Sequence, residues 1–95
     1  MKYPLHTISN HFFLEGGGGL WLLDTGAPQS FGRESSLELA GLTFDVANNY
    51  MGLTADQLSE FVSVDCCGLL GADIWRNFDI VFDQPGRTIL LTEVT

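Results

Sequence analysis

The chain begins with two apolar blocks separated by glycines. Residues 5–14 are rich in strand-forming side chains, with one polar interruption at residues 9–10, and residues 20–23 form a continuous apolar run. Four consecutive glycines, residues 16–19, lie between the two blocks. Short apolar runs bounded by turn residues are typical of strands. The pattern therefore predicts a hairpin whose second arm is buried and ends at Asp24.

The middle of the chain changes from a strand pattern to a helical one. Apolar side chains alternate through residues 37–46, which predicts either a second hairpin that turns near Ala40 and Gly41 or two short strands with a kink. Thr54 followed by Gln57 has the form of a capping box, so a helix of about two turns is predicted to begin there. The apolar residues expected to share one face of this helix are Leu58, Phe61 and Val62.

The last third of the chain predicts short strands around one short helix. Residues 62–64 are a candidate strand, and residues 72–77 suit a helix with an acidic residue, Asp73, in its first turn. Residues 79–83 and 88–92 form two further apolar runs. The Pro-Gly pair between them is the signature of a type II turn, so the chain is predicted to end in a hairpin.

Length and charge limit the classes of function. The length of 95 residues fits one domain, residues 1–95, with a small core. Such chains are often only marginally stable alone, which favours association with a second copy. The net charge is −8, and nucleic-acid binding is excluded because it needs clustered cations. The scattered basic residues are Lys2, Arg33, Arg76 and Arg87.

Two features bear on the compartment. No segment contains the roughly 20 apolar residues of a membrane helix, and the chain does not begin with the apolar run of a signal peptide, so no membrane association is expected. Cys66 and Cys67 are neighbours, and adjacent cysteines form only a strained, rare bridge. They are expected to be free thiols, at least one of them buried, which favours the cytoplasm or another reducing compartment.

Asp24 is the main candidate for chemistry. It lies where the buried strand is expected to end, and Thr25, Gly26 and Ala27 follow it. Glycine lets the backbone turn sharply, and the threonine hydroxyl could bond to a neighbouring loop. An ordinary turn explains this segment equally well, because Asp and Gly are favoured turn residues. A second segment downstream favours the catalytic interpretation of Asp24.

Residues 22–27, together with Ser30, resemble the active-site segment of retropepsins, the single-domain aspartic proteases of retroviruses and their cellular relatives. Residues 69–71 resemble the second signature of that family, two apolar residues and a glycine that lead into a short helix. Residues 71–83 are similar to retropepsin-like domains outside viruses. Asp24 and the glycine of the second signature are 47 positions apart, in the family's order.

The resemblance implies a mainly β, small closed β-barrel-like acid-protease fold with short helices that acts as a twofold homodimer. Peptide bonds would be hydrolysed by a water activated by two Asp24 carboxylates, one from each subunit, because the chain has one Asp-Thr-Gly. In aspartic proteases the two carboxylates share one proton, since like charges so close cannot both ionise. The residues implied to support this site are Thr25, Gly26, Ala27, Leu69, Leu70 and Gly71.

The partners implied are a second copy of the chain and a peptide or protein substrate, with no cofactor. No metal site is expected either, because His6 and His11 have no acid or cysteine at metal-ligand spacing. Retropepsins cover their substrate with a glycine-tipped hairpin, for which only residues 37–46 are available here. The covering residues would then be Leu39, Ala40, Gly41 and Leu42.

Two alternatives remain open at this point. The chain could be a catalytically silent retropepsin-like module that binds peptides or dimerises and lacks a full flap. It could also be a fragment of a larger chain, in which the domain serves as a dimerising or processing segment.

Overall fold

The computed structural model describes residues 1–94, in which strands predominate. The mainly β prediction is confirmed. In chain order the elements are β1 (Lys2–Ile8), β2 (His11–Gly16), β3 (Gly19–Leu23), β4 (Phe31–Gly32), β5 (Ser36–Leu39), β6 (Leu42–Asp45), β7 (Asn49–Tyr50), β8 (Leu53–Thr54), α1 (Ala55–Val62), β9 (Gly68–Leu70), α2 (Ala72–Trp75), β10 (Phe78–Asp83) and β11 (Thr88–Glu93).

Seven strands form one sheet in the order β10-β11-β1-β2-β3-β9-β4. Neighbouring strands are antiparallel, except that β3 and β9 run parallel. Two small hairpins, β5–β6 and β7–β8, stand outside this sheet. The expected closed barrel is wrong, because closure requires the two edge strands to pair. Here β10 and β4 are opposite edges, and β4 is only two residues long.

The first predicted strand is in fact two strands. Ser9 and Asn10 form a turn with φ of 51° and 66°, so residues 2–16 fold as a hairpin of β1 and β2. Asn tolerates this left-handed conformation better than most residues. Gly17 and Gly18, with φ of 59° and 87°, form the next turn, between β2 and β3. The glycine turn and the buried strand that ends before Asp24 are therefore confirmed.

Buried cores lie on both faces of the sheet. The first core lies under the β5–β6 hairpin and α2, and the second core lies under α1 and the β7–β8 hairpin. The buried residues of the first core are Leu5, Leu14, Trp21, Leu37, Leu39, Val46, Leu70, Ile74, Trp75, Phe78, Ile89 and Leu91. Those of the second core are Phe13, Leu22, Phe31, Leu58, Val62, Cys66 and Leu69. Residues next to each other in a strand, such as Leu69 and Leu70, lie in different cores because successive side chains of a strand point to opposite faces of the sheet.

Helix α1 begins as the capping box predicts. The Thr54 hydroxyl accepts from the Gln57 amide N–H, and the Gln57 side chain accepts from the Thr54 N–H. The helix is eight residues long and buries two of the three predicted apolar residues, but Phe61 is 79% exposed, so its assignment to the core face is wrong. Ser63 ends the helix in a left-handed conformation with φ of 58°. The predicted strand over residues 62–64 is therefore also wrong.

The short helix and the C-terminal hairpin form as predicted, but the helix ends at Trp75 instead of Asn77, and the predicted turn type is wrong. A type II turn would need positive φ at Gly86, whereas Arg87 is the residue with positive φ, at 52°. The N–H of Arg87 donates to the carbonyl of Gln84, and the N–H of Gly86 donates to the carboxylate of Asp83. The four residues thus form a tight turn that ends in a left-handed arginine.

Neither cysteine forms a disulfide. Cys66 is buried in the second core and Cys67 is half-buried, as expected for free thiols with at least one buried. Burial raises the pKa of the Cys67 thiol. Within residues 1–94, the helices are too short or too polar to cross a membrane.

The indole of Trp21 lies across two neighbouring strands that carry glycines at the contact. A Cβ on Gly32 would stand 2.6 Å and 2.8 Å from two ring carbons of Trp21. A Cβ on Gly68 would stand 2.7 Å from the same ring and would also overlap the carbonyl oxygen of Phe31. These two glycines let β9 and β4 approach β3 beneath the ring.

We expect Gly32→Ala to destabilise the fold by about 1–3 kcal/mol, because the added methyl group overlaps the Trp21 ring. The same substitution in a Trp21→Phe background should cost less, since the smaller ring leaves space. Urea unfolding of all four variants, followed by circular dichroism at one protein concentration, gives the coupling energy directly. An equal cost of Gly32→Ala in both backgrounds would show that the ring is not the constraint.

Candidate active site

The fold brings the two sequence signatures together through β9. This strand lies between β3 and β4, parallel to the first and antiparallel to the second. Leu22 and Leu23 pair with Leu69 and Leu70 in register, and the N–H of Asp24 then donates to the carbonyl of Leu70 at 3.0 Å. Segments that are 47 positions apart in sequence are therefore hydrogen-bonded neighbours.

Asp24 stands on an exposed, compact turn. Its Oδ1 accepts from the N–H of Gly26 at 3.0 Å, and its carbonyl accepts from the N–H of Ala27 at 3.2 Å. Within residues 1–94 the ion pairs involve other carboxylates, so no cation of this part of the chain neutralises Asp24. Thr25 is also exposed, and its hydroxyl makes no hydrogen bond within the same residues. The turn holds the carboxylate from one side and leaves the other side to solvent.

The turn rests on the segment that follows β9. The carbonyl of Ala27 accepts from the N–H of Ala72 at 2.7 Å. A Cβ on Gly71 would stand 2.7 Å from that same carbonyl oxygen and 3.0 Å from the backbone of Gln29. Backbone atoms cannot move aside as a flexible side chain can, so only glycine permits this approach.

A buried serine, Ser30, links the Asp24 turn to α2 through hydrogen bonds. Ser30 is 2% exposed, and its hydroxyl donates to Oδ1 of Asp73 at 2.6 Å while accepting from the N–H of Gly71 at 2.8 Å. The N–H of Ser30 donates to the same carboxylate oxygen at 3.0 Å. Sequence reasoning assigned Asp73 only to the helix dipole and missed this contact, because the two residues are 43 positions apart.

Leu69 and Leu70 lie beneath the turn on opposite faces of the sheet. Leu69 is 5% exposed and packs in the second core, whereas Leu70 is fully buried in the first. The carbonyl of Leu70 also accepts from the indole N–H of Trp75 at 2.8 Å. One carbonyl oxygen therefore joins β3, β9 and α2 immediately below Asp24.

The β5–β6 hairpin forms as predicted, but it does not cover Asp24. Leu39 is fully buried, so it cannot contact a substrate, and the N–H of Ala40 donates to the Tyr3 hydroxyl at 2.7 Å. Carbon atoms of the Tyr3 ring lie 3.6 Å and 3.7 Å from the Cβ position of Gly16, which pairs with the first residue of β3.

Asp24 follows the last residue of the same strand, roughly 16 Å away at about 3.3 Å per residue. Gly41 is exposed at the hairpin tip and Leu42 is half-buried against the first core, both at this distant end. The covering role expected of Leu39, Ala40, Gly41 and Leu42 has no support in this placement. The hairpin packs here because its alternate residues, Leu37 and Leu39, complete the first core.

Three cavities of about 270, 490 and 210 Å³ lie elsewhere on the surface. Asp24 lines none of these three. Within the described part of the chain, no group of three metal-ligating side chains occurs, so the site is a single carboxylate on a braced turn. Such a group can bind or exchange a proton, but it needs a partner for acid–base chemistry on a peptide bond.

We expect Ser30→Ala to destabilise the protein by about 1–3 kcal/mol, because it leaves the buried N–H of Gly71 without its acceptor. Amide exchange at Gly71 should accelerate in parallel. The matched control is Ser36→Ala, at an exposed strand position, which should stay within about 0.5 kcal/mol of the parent. Equal stability of the two variants would mean that the buried serine does not brace the turn.

Comparison with known proteins adds no assignment: no family model, no curated protein and no solved structure matches this chain.

Proposed function

We propose that this protein is an aspartic endopeptidase that hydrolyses peptide bonds as a homodimer, with one Asp24 carboxylate from each copy. The observation that carries the proposal is the hydrogen bond from the Asp24 N–H to the Leu70 carbonyl. It joins the two segments whose sequences resemble retropepsin signatures and leaves the aspartate exposed at their junction.

The proposed reaction uses the two carboxylates in different protonation states. One takes a proton from the attacking water while the other, which carries the shared proton, donates to the carbonyl oxygen of the peptide bond. The N–H of Gly26, bonded to Oδ1 of Asp24, fixes the orientation of the carboxylate. The bracing of the turn by Ser30 and Gly71 limits its movement, which matters because misplaced catalytic groups lose rate steeply.

A second copy is part of the proposal because one chain offers one such carboxylate. A twofold axis beside the exposed turn would place the same turn of both copies face to face. The Thr25 hydroxyl, which makes no hydrogen bond within residues 1–94, is then available for one to the opposite turn, the role that the resemblance implies. Peptide substrates and a reducing compartment, which the free thiols of Cys66 and Cys67 favour, belong to the same proposal.

A second candidate is a module that binds peptides or dimerises without cleaving. The position of the β5–β6 hairpin favours it, because nothing in that hairpin covers Asp24. An uncovered site admits water and holds substrate less firmly, and both effects reduce catalysis. Cleavage assays separate the two candidates.

We expect the protein to cleave members of a peptide library between about pH 4 and pH 7, the range in which a shared-proton pair operates. Asp24→Asn should abolish cleavage while leaving the fold intact, since the side chain is exposed. The control is Asp79→Asn, which makes the same chemical change at an exposed position of β10. Cleavage that survives Asp24→Asn would end the protease proposal, and a stable dimer that cleaves nothing would favour the silent module.

Mixing experiments test whether each copy contributes one carboxylate. If wild-type and Asp24→Asn chains are mixed equally and exchange freely, about one quarter of the dimers contain two aspartates, so activity per chain should fall to about one quarter. A parallel mixture with Asp79→Asn chains should keep full activity. A fall to one half would show that each chain acts alone, as would activity in a protein that sediments as a monomer.

A further inference from the structure

A cavity of about 270 Å³ lies where β1 separates from β11. Pairing between these strands ends at Pro4 and Thr88, and beyond that point β1 pairs only with β2. The gap is closed on its far side by the turn of residues 84–87. The cavity is lined by Leu5, His6, Thr7, Ile8, Gln84 and Arg87.

Hydrogen-bond donors converge on this gap. The N–H of Leu5 donates to the carbonyl of Arg87 at 2.9 Å, so the Leu5 amide points toward the β11 side. Alternate residues of a strand direct their amides to the same edge, which places the Thr7 N–H on the cavity side as well. Thr7, Gln84 and Arg87 also line the cavity, and their side chains carry a hydroxyl, an amide and a guanidinium that can donate hydrogen bonds.

Arg87 adopts a backbone conformation that disfavours its side chain. Its φ of 52° lies in the left-handed region, where glycine is the usual residue. A glycine is present one position earlier, at Gly86, where φ is not left-handed and a Cβ would overlap the Asp83 carboxylate. The turn therefore has an arginine at the position that glycine would fill without strain.

Arg87 is one of three basic residues, with Lys2 and Arg76, that form no ion pair within residues 1–94. The protein has four Lys and Arg residues and a net charge of −8, yet no carboxylate pairs with Arg87 within residues 1–94. Asp83, in the same turn, accepts instead from the N–H of Gly86 at 3.0 Å, and Glu15 binds His6 at 2.8 Å. By contrast, Arg33 forms ion pairs with two aspartates. Among the residues that line the cavity, Arg87 thus carries a positive charge with no ion-pair partner within residues 1–94.

We propose that this cavity binds a small oxyanion, a carboxylate or a phosphate group, through the Arg87 guanidinium with the Thr7 amide and the Gln84 side chain as further donors. A planar guanidinium suits either group because it can donate two parallel hydrogen bonds. The volume equals about nine water molecules at roughly 30 Å³ each, so such a group fits with part of its hydration. The site does not involve Asp24 and is independent of protease activity.

The test is a titration of the full chain with inorganic phosphate and, separately, with acetate, at constant ionic strength. Amide shifts in the protein's nitrogen–proton NMR spectrum should saturate at Thr7 and in residues 84–87. Saturation with only one of the two anions identifies which group the site takes. No saturable shift with either anion would overturn the proposal.

Matched variants separate a local site from the effect of net charge. Arg87→Gln and Arg76→Gln each remove one positive charge, but Arg76 lies at the end of α2 and does not line the cavity. Arg87→Gln should weaken binding by about 10-fold or more, because a charge-assisted bond is lost, and Arg76→Gln should leave it unchanged. Equal weakening by both variants would show a general charge effect and contradict the site.

Arg87→Gly provides a second, independent readout. It removes the guanidinium and also relieves the left-handed conformation, so it should raise the urea midpoint of unfolding while abolishing anion binding. Anion binding that survives in this folded variant would exclude Arg87 as the ligand-binding residue.

Discussion

The carbonyl oxygen of Leu70 accepts two hydrogen bonds, and the position of Asp24 depends on both. The Asp24 N–H extends the parallel pairing of β3 and β9 by one residue, and the Trp75 indole ties α2 to the same atom. A carbonyl buried in this way must be satisfied, so the turn and the helix are fixed relative to each other. Removal of either donor would leave the oxygen with one bond and loosen the other element.

This junction is possible only because several backbones approach unusually closely. Gly71 allows the Ala27 carbonyl to approach, and Gly32 and Gly68 allow β4 and β9 to lie under the Trp21 ring. The parallel placement of β9 beside β3 therefore depends on glycines, which have no side chain, as much as on apolar packing. An apolar core of the right composition alone would not specify it, since many arrangements bury the same residues.

Sequence patterns predicted correctly those local elements that neighbouring residues of the chain specify by themselves. The Thr54–Gln57 capping box and the Ala40–Gly41 hairpin turn are of this kind. The open sheet and the bond between Ser30 and Asp73 depend on contacts between distant positions, which no local pattern contains. Phe61 satisfies the helical period and yet stays exposed, because the period does not say how wide the covered stripe is.

For the candidate site, the sequence predicted that Leu69 and Leu70 lie beneath the Asp24 turn, as they do, whereas the hairpin expected to cover Asp24 lies elsewhere. Leu39 was expected over the substrate, and the same alternation that predicted its strand also buries it, since a hairpin with one apolar face packs that face inward. Apolar residues therefore pack below the Asp24 turn, and the upper side of this turn is exposed to solvent. In the proposed homodimer, the second copy supplies both the missing carboxylate and the first barrier to water.

The contribution of one Asp24 carboxylate by each copy has a consequence for the formation of the proposed dimer. Two carboxylates brought within a few ångströms cannot both stay ionised, so the proposed dimer must bind one proton that the separate chains need not hold. Proton uptake on association means that falling pH favours the dimer, by linkage. In the proposed dimer, one proton therefore affects both the association of the two copies and the protonation state required for hydrolysis. A substitution of Asp24 would change both together.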